Sequence, residues 1–304
     1  MSPEQNELAD ALASNFLLVD MQLRSWSGKS TDRKASNELI TSKNAARDSG
    51  TFVKNLLASA NGELRAVHTR GNAMRTFVYA NSLPWSASDG AKRGERLIST
   101  KKAIQFLQDL NTYKKDYDDA VLELVNVWPS RVTEAMSNLG ALADQDDYPD
   151  AQELATLFSV AVDLKPIPAM GDFSRLNVPA ELATALGQRH AMAAQVQVSN
   201  AMNDLRDRFV EELQRIEKQM SKAAAGEKTR LYETLITNMQ LLVDMAKNMN
   251  LTGNQALDEL VQRIEAKVLS KPIAAYKDNA PLAKQLADDA KELAMAAMDE
   301  ELWS

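Results

Sequence analysis

Residues Phe16 to Trp26 read FLLVDMQLRSW, and their alternation decides the fold class. Leu17, Val19, Met21 and Leu23 fall on one face of an extended chain, and Leu18, Asp20, Gln22 and Arg24 fall on the other. A period of two predicts a strand, and Trp26-Ser27-Gly28 ends it. A second run has the same form. Phe158, Val160, Val162 and Leu164 alternate with Ser159, Ala161, Asp163 and Lys165, then stop at Pro166 and Pro168, which have no ladder donor. One half-apolar strand is not stable by itself. The two are therefore expected to pair and to be covered by the helices between them in sequence.

Outward from these strands the pattern turns helical. Asn37 to Tyr79 is rich in alanine, leucine and lysine around Gly50, Gly62 and Gly71, which predicts one helix with weak points or two with a break. Leu83-Pro84-Trp85 to Gly94 reads as a loop. Ile104, Leu107, Leu110, Val121, Leu124 and Val127 form a helical stripe expected to stop at Trp128-Pro129, because the residue before a proline avoids helical backbone angles. Asp144 to Asp150 is an acidic connector, and Tyr148-Pro149-Asp150 precedes a short helix.

Beyond Phe173, Met202, Leu205, Phe209, Leu213, Ile216 and Met220 recur at intervals of three and four. Leu235, Met239, Leu242, Met245 and Met249 continue the pattern after a turn near Gly226. Two amphipathic helices joined by a short break face their stripes together as an antiparallel hairpin. Leu257 to Leu269 and Pro281 to Met298 add two more helices, separated at Lys271-Pro272. The expected fold class is mainly α with a small β-sheet (α+β), with the long antiparallel helical hairpin in the C-terminal half. Residues 1–175 form the α+β region, with its paired strands and basic helical and loop segment; residues 176–304 form the hairpin and the last helices.

Composition narrows the function classes. At 304 residues, with 45% hydrophobic and 25% charged side chains, the chain resembles an ordinary globular protein and has material for a real core. It contains no run of eighteen apolar residues, so no membrane span is expected. Met1 to Asp10 is polar and acidic, without the basic start and apolar stretch of a secretory signal, so a cytoplasmic and not a secreted protein is expected. The absence of cysteine removes disulfides, thiolate metal sites and cysteine nucleophiles together. The formal charge of −7 is unevenly distributed: Gln22 to Ala103 holds fifteen Lys and Arg against six Asp and Glu, a surplus of nine, whereas Met1 to Met21 carries −4 and Ile104 to Ser304 carries −12.

Motifs that would carry chemistry fail on inspection. Gly28-Lys29-Ser30-Thr31 follows a strand as the end of a phosphate-binding loop would, but that loop needs a glycine five residues before Gly28, and Leu23 stands there. A solvated turn at the strand end is the expectation. His68 and His190 each lack a second histidine at helical spacing, so each reads as a surface or packing residue. Asp144, Asp146, Asp147 and Asp150 would offer oxygens to a divalent cation, yet they lack the central glycine and final glutamate of a calcium loop. A hydrated acidic turn is expected, with no metal, cofactor or catalytic residue assigned. A metal-dependent hydrolase acting through that turn is a minor alternative.

The basic segment has the most chemical content. Arg65, Arg70 and Arg75, with His68 among them, lead into Phe77 and Tyr79; Trp85 is followed by Lys92, Arg93, Arg96, Lys101 and Lys102. Cations interleaved with aromatics suit phosphate contacts and base stacking on single-stranded nucleic acid. The competing reading buries the aromatics and pairs the cations with the acidic part of the chain, within one protomer or between neighbours. Met192, Met202, Met220, Met239, Met245 and Met249 would either pack inside the hairpin or form an adaptable partner groove, and packing is expected.

Several elements recur in one order along nearly the whole chain. They are Leu18-Val19-Asp20-Met21 with Trp26-Ser27-Gly28, Leu83-Pro84-Trp85 leading to Gly94, Arg96 and Leu97, Tyr148-Pro149, Pro166-Ile167-Pro168 with Gly171-Asp172-Phe173, and Met249-Asn250-Leu251-Thr252-Gly253. In these the chain resembles a family of phage and prophage proteins classed as a domain of unknown function. The resemblance implies a phage-encoded, non-virion protein of the infected cell's cytoplasm, in some genomes encoded near a MoxR-type AAA+ ATPase and a von Willebrand A-type protein. It supplies no catalytic residue. The expected function is a non-enzymatic interaction or assembly protein, homo-oligomeric or joined to an AAA+ ATPase. The alternative is a single-stranded nucleic-acid-binding protein of phage replication or recombination.

Overall fold

The computed structural model describes residues 3–57, 62–85, 94–250 and 253–303. Helix α1 (Pro3–Asn15) leads directly into strand β1 (Phe16–Arg24), which begins where the alternation begins and stops two residues before Trp26. Gly28, at φ +68°, redirects the chain into β2 (Lys29–Asp32). The Asp32 carboxylate then caps α2 (Arg33–Ser42), accepting from the Ala35 N–H at 2.8 Å. Strand β3 (Phe52–Asn55) runs antiparallel to β2, with Lys29 opposite Asn55 and Asp32 opposite Phe52. Helix α3 (Gly62–Ala80) follows.

Of the two alternatives for Asn37 to Tyr79, the structure has two helices with a break, and the break holds a strand that the sequence reading did not include. The helical stretch is interrupted after Ser42 by a left-handed turn at Asn44 (φ 54°) and by the whole of β3. Four-residue strands hold by pairing with a distant partner, and that tertiary term overrides the local helix propensity.

Strand β4 (Leu83–Pro84) pairs antiparallel with β5 (Arg96–Ser99), so part of the expected loop joins the sheet. Helix α4 (Ala103–Leu139) comes next, and 37 residues pass straight through Pro129. The expected stop at Trp128-Pro129 is overturned. Proline costs a helix interior about 3 kcal/mol, but the buried face is unbroken: Leu124, Trp128 and Ala135 are all buried. The Trp128 indole N–H also donates to the Pro149 carbonyl at 2.8 Å. Ile104, read as inward, is 75% exposed, and Ala103, Phe106 and Leu110 take the buried positions instead.

The chain continues through α5 (Ala151–Thr156), β6 (Ser159–Pro166), the 45-residue α6 (Ala180–Ala224), α7 (Thr234–Met249), α8 (Gln255–Lys267) and α9 (Ala280–Ala297). The main sheet has the order β4-β5-β1-β6, so the two strands read from alternation are neighbours. Phe16 faces Ser99, and Val19 faces Arg96. Strand β6 is an edge, where Pro166 removes no needed donor. No helix among the described residues is long and apolar enough to cross a membrane.

Two compact units form. The first comprises Met1–Asp20, Val78–Phe106 and Asp163–Ser304; the second comprises Met21–Phe77 and Leu107–Val162. In the first, Leu12, Phe16, Leu18, Leu83 and Leu97 share one apolar cluster with Leu205, Phe209, Leu213 and Ile216 of α6 and with the buried faces of α7, α8 and α9. The helices expected over the sheet are those between its strands in sequence; the cluster draws them from α1 and the C-terminal helices instead. Helix α6 packs along α9 and α7, so the hairpin stripe lies inside. Met202, Met220, Met239 and Met249 are buried there, while Met192 is 60% exposed.

In the second unit, aromatic side chains tie segments distant in sequence to one another. The Tyr117 hydroxyl donates to the Arg24 carbonyl at 2.8 Å, and the Tyr148 hydroxyl donates to the Leu56 carbonyl at 2.8 Å. Trp26 meets Trp128 edge to face, with ring centroids 5.4 Å apart.

Phe209 is fully buried beside Trp303. Phe209→Ala is expected to lower unfolding free energy by about 3–5 kcal/mol, while Ile104→Ala stays within about 0.5 kcal/mol of wild type. Urea denaturation followed by tryptophan fluorescence checks both, and comparable losses in the two variants would refute this assignment of the core.

Candidate functional site

Arg65, His68, Asn72 and Arg75 are spaced three, four and three residues apart, which puts them on one face of α3. In the second unit that face lines a cleft of about 620 Å³. Ser25, Ser27, Gly28 and Lys29, from the end of β1 and the start of β2, also line it, as do Asn55 and Leu57 after β3. Leu23, Leu57, Leu64 and Gly71 provide its apolar part.

Two glycines let these walls approach. A Cβ on Gly28 would lie 2.6 Å from Leu64 Cδ2, and the residue's positive φ disfavours any side chain there. A Cβ on Gly71 would lie 3.0 Å from Leu23 Cδ2 and 3.3 Å from the Tyr117 ring. The Gly28 carbonyl accepts from the Leu56 N–H at 2.8 Å, joining the β1–β2 turn to the chain after β3. His68 Nε2 is 2.8 Å from the Trp26 carbonyl, which can only accept, so that nitrogen carries the proton and the ring is fixed. Arg75 reaches toward the Leu23 carbonyl at 3.4 Å.

The lining contains Lys29, Arg65 and Arg75, together with His68, and no Asp or Glu. Among the described residues none of these three cations forms an ion pair, whereas Lys54, Lys102, Arg131, Lys165, Arg208 and Lys267 all do. The arrangement presents positive charge and hydrogen-bond donors over an apolar floor, which is the chemistry of an anion site.

Behind β2 the positive charge is neutralised. Lys54 Nζ is 2.5 Å from Asp147 Oδ2 and 3.3 Å from Asp32 Oδ2, and it donates to the Leu142 carbonyl at 3.1 Å. The Ser30 hydroxyl donates to Asp147 Oδ1 at 2.6 Å. The bond to Asp147 raises the Lys54 pKa against the opposing effect of burial. Burial pushes the Asp147 carboxyl up, but the bonds from Lys54 and Ser30 outweigh it and hold the group below its ordinary value.

The solvated turn expected at Gly28-Lys29-Ser30-Thr31 is corrected: only Gly28 turns, and Lys29 to Thr31 are paired in β2. The acidic run separates into individual roles. Asp150 caps α5, accepting from the Gln152 and Glu153 N–H groups at 2.8 and 2.7 Å, Asp144 accepts from the Asp146 N–H, and Asp147 holds Lys54. The expected hydrated turn is corrected at Asp147, where the side chain is only 16% exposed. Among the described residues no group of three His, Asp or Glu side chains is placed to hold a metal ion. His190 bonds to the Pro168 carbonyl at 2.9 Å and packs against Phe173.

The residues read as a nucleic-acid segment are distributed between the two units. Arg65 and Arg75 enter the cleft, Arg70 is exposed on α3, and Phe77 stacks on Tyr113 with centroids 4.9 Å apart. In the first unit, Arg96 is buried over the Tyr79 ring at 4.8 Å and donates to the Ser82 hydroxyl at 2.7 Å and the Ser82 carbonyl at 2.9 Å. Burial pushes its pKa down to about 10. Trp85 packs against the apolar cluster, Lys102 pairs with Asp244 at 2.5 Å, and Lys101 is exposed. Lys92 and Arg93 lie outside the described residues. Phe77, Tyr79 and Trp85, expected to stack on bases, are engaged with the protein's own side chains. Sequence reasoning missed Lys29, Asn55 and Asn72; the spacing of Arg65, His68, Asn72 and Arg75 was the available signal.

No family model, curated protein or solved structure matches this chain.

Because the Asp147 carboxyl is held low, it binds fewer protons folded than unfolded below the ordinary carboxylate range. Its stabilising contribution is complete above that range and is lost as pH falls through the lowered value. Asp147→Asn is expected to flatten the decline in urea midpoint between about pH 5 and pH 3. Lys54→Met, which strands two carboxylates, is expected to cost about 3–5 kcal/mol at neutral pH. An unchanged acid slope in Asp147→Asn would remove the ion cluster from the stability account.

Proposed function

We propose that the protein is a non-enzymatic assembly protein that associates with further copies of itself. The carrying observation is the outer face of the first half of α6. Leu182, Ala185, Arg189, Met192 and Val196 recur at alternating intervals of three and four on a face left exposed, with Leu182, Met192 and Val196 at 47%, 60% and 59% exposure. Gly187, Ala191 and Ala194 occupy the buried side of the same stretch. Three large apolar side chains on one solvent face, with Ala185 and Arg189 at the intervening positions, fit a facing helix, and a second copy of α6 supplies one.

The phage setting implied by the resemblance belongs to the same proposal. There, the assembly acts in an infected cell's cytoplasm with an AAA+ ATPase as a further partner.

A second reading, single-stranded nucleic-acid binding, is favoured by one observation: Lys29, Arg65 and Arg75 line one cleft that has no carboxylate in its lining. With Phe77, Tyr79 and Trp85 packed internally, this reading rests on phosphate contacts and not on base stacking.

Multi-angle light scattering of the full chain is expected to show an oligomer that dissociates when Met192→Glu and Val196→Glu are combined. A strictly monomeric wild type would overturn the assembly reading. For the second reading, labelled single-stranded oligonucleotides should bind at low salt and lose affinity steeply as salt rises. Absence of binding at micromolar protein in low salt would end it.

A further inference from the structure

We propose that the cleft of the second unit is a binding site for a small phosphate monoester carried on a hydroxyl-bearing organic body, the chemical class of sugar phosphates and nucleoside monophosphates. The proposal is independent of the assembly reading. It shares its cations with the nucleic-acid reading, and the experiment below separates the two.

A volume of about 620 Å³ suits a small molecule, since such sites occupy roughly 300–1,000 Å³. The lining divides into three chemistries. Lys29, Arg65 and Arg75 are positive and, among the described residues, without ion pairs, and they line one cleft whose lining holds no carboxylate. A bound anion would be attracted by all the cations that share the cleft. Three cations exceed what a single carboxylate needs and match the nearly double charge of a phosphate monoester. The planar guanidinium of Arg65 or Arg75 can present paired N–H donors to two phosphate oxygens, and Lys29 adds a point charge.

Ser25, Ser27, Asn55 and Asn72 form the second group. Each offers both a donor and an acceptor, the requirement of hydroxyl groups on the ligand body. Leu23, Leu57 and Leu64 form the third, an apolar surface that accepts a ring face or a carbon skeleton and distinguishes an organic phosphate from the free ion.

The framework around these groups is already formed. Gly28 is fixed by its carbonyl bond to Leu56 and by close contact with Leu64, and His68 is tied to the Trp26 carbonyl. Lys54, clamped by Asp32 and Asp147, holds β3 beside β2 and so sets the position of Lys29. Binding therefore requires reorientation of Lys29 and Arg65, which are exposed, and little backbone ordering.

Isothermal titration of the full-length protein with inorganic phosphate and with adenosine monophosphate tests the site. Saturable binding of the nucleotide at about 1 mM or tighter is expected, with inorganic phosphate weaker. Lys29→Gln with Arg65→Gln should weaken nucleotide binding at least tenfold while leaving the circular dichroism spectrum and thermal midpoint intact, because both side chains are exposed. Lys101→Gln, an exposed cation not among the cleft-lining residues, should bind as wild type. The inference is overturned by no saturable nucleotide binding, or by equal loss in the Lys101→Gln control. It is also overturned if an oligonucleotide binds and excess nucleotide fails to displace it, an outcome that leaves the nucleic-acid reading standing. Nucleotide binding without oligonucleotide binding has the opposite effect: it supports the small-ligand site and removes the polymer reading.

Discussion

A lysine with 4% of its side chain exposed sits in a four-residue strand, and the organisation of the second unit depends on how its charge is met. An unpaired ammonium at Lys54 would cost several kcal/mol, more than a short hairpin contributes. Two carboxylates from distant parts of the sequence remove that cost. Asp32 supplies one at the end of β2 and also caps α2, while Asp147 supplies the other from the acidic turn before α5. Register follows from the same cluster: Ser30, opposite Lys54 in the ladder, donates to Asp147, and Phe52, opposite Asp32, donates its N–H to Ser36 Oγ in the helix that Asp32 caps. A one-residue slip would turn Lys54 to the other face of the hairpin. The positions of Gly28 and Lys29, and with them one wall of the cleft, are consequences of this buried ion cluster.

The first unit rests on a different constraint, the length of α6. Forty-five residues cannot present one kind of face throughout. From Met202 to Met220 the inward apolar positions are large, with Leu205, Phe209, Leu213 and Ile216 fully buried against the neighbouring helices. From Gly187 to Ala194 the inward positions are glycine and alanine, and the large side chains Leu182, Met192 and Val196 point outward. An isolated amphipathic helix is arranged the other way. The inversion has a physical sense if the outward face meets another helix, because the apolar area left in water would then be covered.

The parts of this fold legible in the sequence were those whose signal repeats. Strands β1 and β6 carry four alternating apolar positions each, and α6 through α9 carry several heptad-like intervals, so their type, and the pairing of β1 with β6 and of α6 with α7, followed from periodicity, whereas the packing of α6 along α9 did not. The unread parts lack room for a period. Strands β2 (KSTD) and β3 (FVKN) are four polar-rich residues each, held by one another and by Lys54, and nothing local distinguishes them from the ends of helices. Pro129 misled for the opposite reason: a strong local rule was overridden by the continuous buried face of α4 and by the anchoring of Trp128 to Pro149. In the site, the cations of α3 were legible as a charge excess. Lys29 was not, because the reading of Gly28-Lys29-Ser30-Thr31 turned on the glycine missing at Leu23, while the residue's place in the cleft comes from what β2 sets it beside.

The surplus of nine positive charges between Gln22 and Ala103 takes on a different meaning once its described cations have positions. Lys54 is neutralised by Asp32 and Asp147, Lys102 is paired with Asp244, and Arg96 is enclosed by Tyr79, Ser82 and the charge of Asp204. These cations hold the fold together, and an external phosphate would compete with a partner already present. Phe77 and Tyr79, which made the segment look like a stacking platform, belong to that internal set. Lys29, Arg65 and Arg75 differ in that they line one concave surface, on a scaffold of close glycine contacts, with no acidic side chain in the lining. A segment-wide charge excess favours any polyanion at long range. A concave cluster of cations beside neutral hydrogen-bonding groups and an apolar floor selects by size and shape as well. Cleft geometry therefore favours a compact phosphorylated ligand over an extended nucleic-acid strand.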